Sequence, residues 1–143
     1  MMAEYNSYPD FEAIVRKKIA DAGYRAYSSV PNSPTWPIAV VMRAGGYVAV
    51  RGYLDSARIQ IDVWGGAKGD ASPVSKSTIQ DMAQDIRLQL QRLEHTKVTN
   101  NPVSAWITAV EDGNMQWLPD QDTGRDRYII LMEIFGRSLL PGE

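Results

Sequence analysis

The stretch Leu54 to Trp64 limits the fold more than any other part of the chain. Ala57, Ile59, Ile61 and Val63 alternate there with Arg58, Gln60, Asp62 and Trp64. A period of two places the first set on one face of a β-strand and the second on the other. A strand of that kind needs neighbours, and its apolar face needs a covering layer. Two helical patterns can supply that layer. Asp10 to Ala22 carries Phe11, Ile14, Val15, Ile19 and Ala22 at helical spacing, with Asp10 as N-cap and Gly23 as C-terminal stop. Arg16, Lys17 and Lys18 populate its opposite, solvated face. Pro73 to Glu94 carries Ile79, Met82, Ala83, Ile86, Leu90 and Leu93 in one stripe, with Ser72-Pro73 as N-cap and first helical residue.

The remaining strands follow from shorter patterns. Ile38 to Arg43 is nearly all apolar, as expected of a strand within a sheet. Before it, Pro31, Pro34 and Pro37 restrict Tyr24 to Val30 to a short edge strand. Gly45-Gly46 reads as a turn leading to a ribbon over Tyr47 to Tyr53. Asn100, Asn101 and Pro102 end the linker after the long helix. Val103 to Glu111 places Val103, Ala105, Ile107 and Ala109 on one face, Trp106 and Val110 on the other. Arg127 to Phe135 is the last strand, and Asp112 to Asp126 a long projecting hairpin between the two. The order predicts a single α+β domain over residues 1–143. It is a mainly antiparallel four- to five-stranded sheet with two helices packed on one face.

Composition narrows the chemistry. A chain of 143 residues with 44% apolar content suits one globular core. With no cysteine and one histidine, the chain has no thiolate nucleophile, disulfide or His-pair metal site. No signal-peptide pattern and no membrane-length apolar run occurs in it. Gly65-Gly66-Ala67-Lys68-Gly69 lacks the Gly-Lys-Ser/Thr order of a phosphate loop. His95 follows the long helix, where a cation complements the helix dipole. Asp120, Asp122 and Gly124 open like a calcium loop, but the fifth position is Gly124 and the twelfth is Leu131. No catalytic, cofactor or metal site is therefore expected.

Charge and aromatic content point instead to contacts. Residues 111–126 hold five acids and one base, a local charge of −4 in a chain whose net charge is −2. Asp112, Asp120, Asp122 and Asp126 supply most of it. Met115, Trp117 and Leu118 lie in the same segment, an apolar anchor within a charged rim. Trp64 and Trp106 fall opposite the main apolar rows of their strands, where a second burial surface would use them.

In element order, and in Ile59-Gln60-Ile61-Asp62-Val63-Trp64-Gly65, the chain resembles the tail terminator, or tail-completion, proteins of long-tailed bacteriophages and prophages. The proline-marked segment and the closing Asp126-Arg127-Tyr128-Ile129-Ile130-Leu131-Met132-Glu133-Ile134-Phe135 belong to the same likeness. The resemblance implies a non-enzymatic virion protein, assembled in the host cytoplasm, that forms a homo-oligomeric ring, commonly a hexamer. Such a ring caps the tail tube, ends its polymerisation and meets the head–tail connector, with DNA passing through unbound. Trp64, Trp106, Met115, Trp117 and Leu118 then become expected interface residues, and the four aspartates an acidic lumen or rim. A head-completion or connector subunit is the alternative within virions. A small ligand-binding or enzymatic α+β domain is the alternative of another class.

Overall fold

The computed structural model describes residues 8–50, 54–67, 69–71, 74–100 and 103–140. Two helices, α1 (Phe11–Asp21) and α2 (Lys76–Gln91), accompany six strands. These are β1 (Ala26–Tyr27), β2 (Ile38–Val50), β3 (Leu54–Trp64), β4 (Thr96–Asn100), β5 (Val103–Trp117) and β6 (Arg127–Ser138). They form one mixed sheet in the order β1-β2-β3-β6-β5-β4. The class is α+β, as the patterns require, but the strands number six rather than four or five. One ladder, β1 on β2, is parallel. No described helix is long and apolar enough to cross a membrane.

The sheet is organised around β3 and β6, which pair antiparallel without interruption from Asp55↔Gly136 to Trp64↔Arg127. Direct cross-strand partners share a face, so Ile59, Ile61 and Val63 lie beside Met132, Ile130 and Tyr128. Those residues form one buried cluster with Phe11, Ile14, Val15 and Ile19 of α1 and Ile79, Met82, Ala83, Ile86 and Leu90 of α2. Both helices therefore cover the same sheet face. The predicted helical stripes are their buried sides.

Local chemistry sets the helix ends. Asp10 accepts from the Ala13 N–H over 3.1 Å, and Gly23 takes φ +99° beyond the C-terminus. The second helix starts later than predicted, at Lys76, because Ser75 is the N-cap, accepting from Thr78 N. Ser72-Pro73 lies outside the described residues. The helix ends at Gln91, and His95 takes φ 61° in the turn that follows. There its N–H donates to Ile107 O, so the residue shapes a backbone turn into β4 rather than capping the helix.

Three further expectations are corrected. Gly45-Gly46 is not a turn: β2 runs through it, with a register shift between Arg43 and Gly45. Gly46 has φ +125°, and a Cβ there would stand 2.1 Å from Ser56 O, so the close approach of β3 demands glycine. The segment after the long helix is not only a linker, since Thr96–Asn100 pairs with Val103–Ile107 as an edge strand. The predicted faces of β5 also change part-way. A register shift between Ile107 and Ala109 turns Val110 onto the core side, where it is 8% exposed and pairs with Ile134. Trp106 keeps its predicted side, opposite Ala105 and Ile107.

Two polar clips tie the first helix down. Glu12 accepts from Arg43 N over 2.7 Å, and Arg43 in turn forks onto Asp55, which is 2% exposed. Tyr24, just past α1, donates its hydroxyl to Asp85 of α2. Its phenol is pushed up to about 12, first by burial and then by the hydrogen bond and charge of Asp85.

Two outcomes are expected. Ile61→Ala should cost about 2–5 kcal/mol in urea unfolding, whereas Leu88→Ala on the solvated side of α2 should stay within about 0.5 kcal/mol. The native state holds the Tyr24 proton above pH 10.0, where the unfolded chain releases it, so that contribution should fall away as pH rises from 10.0 towards about 12. Denaturant melts across that window should show a shallower decline for Tyr24→Phe.

Candidate functional site

The candidate site has two parts: the outer sheet face and the loop that closes β5 and β6. Partner register assigns the outer face. Trp64 pairs with Ile38 and Arg127, Asp62 with Val40 and Ile129, and Gln60 with Met42 and Leu131. Glu111 lies beside Glu133, Ala109 beside Phe135, and Trp106 beside Arg137. None of these side chains belongs to the helix-covered cluster. Near its Ile38 end the face is closed, with Ile38 0% and Val40 5% exposed. Toward its middle and far side, Met42, Ile129, Leu131, Phe135, Trp64 and Trp106 are half-buried.

Trp64 is partly committed to its own chain. Arg127 lies over its ring at 4.8 Å from the centroid, and its indole N–H is buried without an acceptor. Trp106 has no such stack, which makes it the freer of the two predicted aromatic contacts. Glu111 and Glu133 face each other across the β5–β6 ladder, and Arg58 lies beside Glu133 on β3. Like charges directly opposite are destabilising, and this pair has no salt bridge among the described residues.

The predicted Asp112–Asp126 hairpin is shorter than expected. β5 continues as strand to Trp117, pairing with Tyr128, because Asp112–Trp117 completes the ladder to β6 after a second register shift at Gly113. Only residues 118–126 form the loop. The predicted apolar trio is divided by this geometry. Met115 pairs with Ile130 and packs against the core. Trp117 and Leu118 remain exposed, at 42% and 41%.

Trp117 is held in place all the same. Its Nε1 donates to Asp126 over 3.1 Å, and Lys76 Nζ, at the start of α2, stands 3.7 Å above its ring. A cation over an indole contributes about 0.5–1 kcal/mol at an exposed position.

The four predicted acids have different fates. Asp112 is bridged by Arg87, whose Nε donates over 3.0 Å, and by Gln91. Asp126 accepts from Trp117. Asp120 accepts from both the N–H and the hydroxyl of Thr123, the hydroxyl at 2.7 Å. That hydroxyl bond is the main reason its carboxyl lies below the usual range. Asp122 is exposed. The calcium-like spacing is thus a turn closed on itself, with Gly124 N donating to Asp120 O and Asp120 N to Arg125 O. No group of three or more His, Asp or Glu side chains is placed to hold a metal ion among the described residues.

Arg125 anchors this turn, a role the sequence did not reveal. Its guanidinium forks onto Asp70, at 2.8 and 3.1 Å, donates to Gly65 O, and stacks 3.9 Å from the centroid of Trp36. Asp70 also accepts from Ala67 N. The glycine-rich loop therefore directs its carboxylate to an arginine in the β5–β6 loop, and the proline-marked segment supplies the stacking ring. The signal available was Arg125 as the lone base among five acids. No family model matches the chain, and no curated protein matches it either.

Asp70 lies below its ordinary 3.8, mainly through its hydrogen bond with Arg125 and then through Ala67 N–H. A depressed carboxylate stabilises the fold above 3.8 and loses that contribution as pH falls through its native value. Arg125→Ala should therefore lower the melting temperature at neutral pH. The gap from the parent protein should narrow as the pH of the melt is brought below 3.8.

Proposed function

We propose that the protein is a structural virion subunit that forms a ring at the end of a bacteriophage tail tube, ends tube polymerisation and prepares the tail for head attachment. The observation that carries this reading is the outer sheet face. Two helices cover one side of the sheet, while Trp106, Phe135, Leu131, Ile129 and Met42 form a half-exposed apolar area on the other. A contiguous apolar area of that kind is a usual feature of a contact surface. It adds to the likeness in element order and in the Ile59–Gly65 segment.

The three groups with shifted pKa fit the same reading. Tyr24, Asp70 and Asp120 each owe their shift to burial or to a structural partner, and they lie apart from one another. The fold invests its polar chemistry in holding loops. In the ring, the outer face meets a neighbouring subunit or the tube end, and the Asp120–Asp122 tip forms an acidic rim. One face matched to the tube and an opposite face that rejects tube subunits would stop growth. The ring would be homo-oligomeric, with the tail tube protein and the head–tail connector as its other partners. DNA would pass without specific binding.

Light scattering after size-exclusion chromatography should give a mass several times that of the single chain, with rings in electron micrographs. Trp106→Ala should weaken assembly by about 2 kcal/mol or more, equivalent to roughly thirtyfold in the association constant, with little change in monomer melting. A single-chain mass at every concentration would contradict the ring. Intact assembly with a large loss of monomer stability would place Trp106 in the monomer's own packing instead.

A further inference from the structure

A groove of about 250 Å³ lies between α1 and the edge strand β4, away from the outer face. Ile14, Leu93 and Val98 provide its apolar lining. Lys17, Lys18 and Lys97 supply its positive charge, with Asp21 as the one acid. Lys17 is paired with Asp21 at 3.0 Å, so the acid is already neutralised within the groove. Lys18 has no ion-pair or hydrogen-bonding partner among the described residues. A surface of this composition calls for an occupant that is acidic and carries an apolar side chain.

The same chain presents such a segment at a different place. Residues 118–124 contain Leu118, Asp120 and Asp122 and no basic residue. Leu118 is exposed, and so is Asp122. The segment is held rigid by the Asp120–Thr123 bonds, by the Asp120–Gly124 turn, and by Arg125 on Asp70 and Trp36. A pre-formed turn loses little conformational freedom on docking.

We infer that the 118–124 turn of one copy docks into the α1–β4 groove of the next, placing Leu118 against Ile14, Leu93 and Val98 and the aspartates among the lysines. The inference rests on the ring reading above and names the contact that would propagate it. Turn and groove are different surfaces of one chain, so the contact is heterologous and closes into a ring when its rotation permits. Charge complementarity favours a second copy over nucleic acid. Phosphate would meet the lysines but would leave the apolar lining without a match, whereas the turn supplies both.

The chain contains no cysteine, so cross-linking can be confined to introduced pairs. Lys18→Cys combined with Asp122→Cys should give an oxidant-dependent ladder of covalent oligomers. Asp81→Cys combined with Asp122→Cys should not, because Asp81 lies on the exposed side of α2. In light scattering, Lys18→Glu and Asp122→Lys should each weaken assembly about tenfold or more, and the double charge swap should restore it. Assembly that persists without the Lys18–Asp122 ladder would overturn the docking contact and leave the ring standing. A single-chain mass at every concentration would overturn both. Unchanged assembly of Lys18→Glu, with weakened binding of a duplex DNA oligonucleotide, would assign the groove to phosphate and overturn the inference.

Discussion

The uninterrupted β3–β6 ladder is the interaction on which the rest of the structure depends. Ten consecutive residue pairs fix its register. In a strand pair a slip of one residue would exchange the two faces. It would move Ile59, Ile61 and Val63 away from both helices and bring Arg58, Gln60 and Asp62 beneath them. The register therefore decides which side receives α1 and α2 and which side is left half-exposed. The outer face is a direct consequence of the core, since the same alternation that buries one row presents the other.

Flanking strands depart from regularity where the sheet must bend. β2 shifts register between Arg43 and Gly45, and β5 does so around Thr108 and Gly113. Bulges increase local twist and redirect side chains. The shift at Thr108 turns Val110 inward, and the one at Gly113 precedes Met115, which reaches the core. Beyond that point the loop relies on side chains from distant segments. Arg125 joins Asp70, Gly65 and Trp36, while Lys76 and Asp126 fix Trp117. An acidic tip on such a frame is a fixed projection of charge, well suited to recognition by a lysine-bearing surface.

Much of the fold was legible because its signals are periodic. Leu54–Trp64 and both helical stripes repeat over several turns or pleats, so each residue reinforces its neighbours. The features that escaped are local or long-range. A bulge at one residue leaves no periodic trace, which is why Val110 was expected on the wrong face and Gly45-Gly46 was expected to turn. β4 is a short, mostly polar edge strand, Thr96-Lys97-Val98-Thr99-Asn100, too brief for its alternation to stand out. For the site, the outward placement of Trp106 and the exposure of Trp117 and Leu118 could be read from pattern. The partners of Asp112 and Asp126 and the grip of Arg125 on Asp70 could not, because they join residues brought together only by folding.

The central claim is that a one-sided sheet leaves a surface whose burial in a ring stops tail growth. Electron microscopy of particles assembled without this protein tests it most directly through the distribution of tail lengths. The account predicts tails that exceed the normal length and lack heads, with normal length restored when the protein is supplied. Tails of normal length, whether detached or joined to heads, would contradict it.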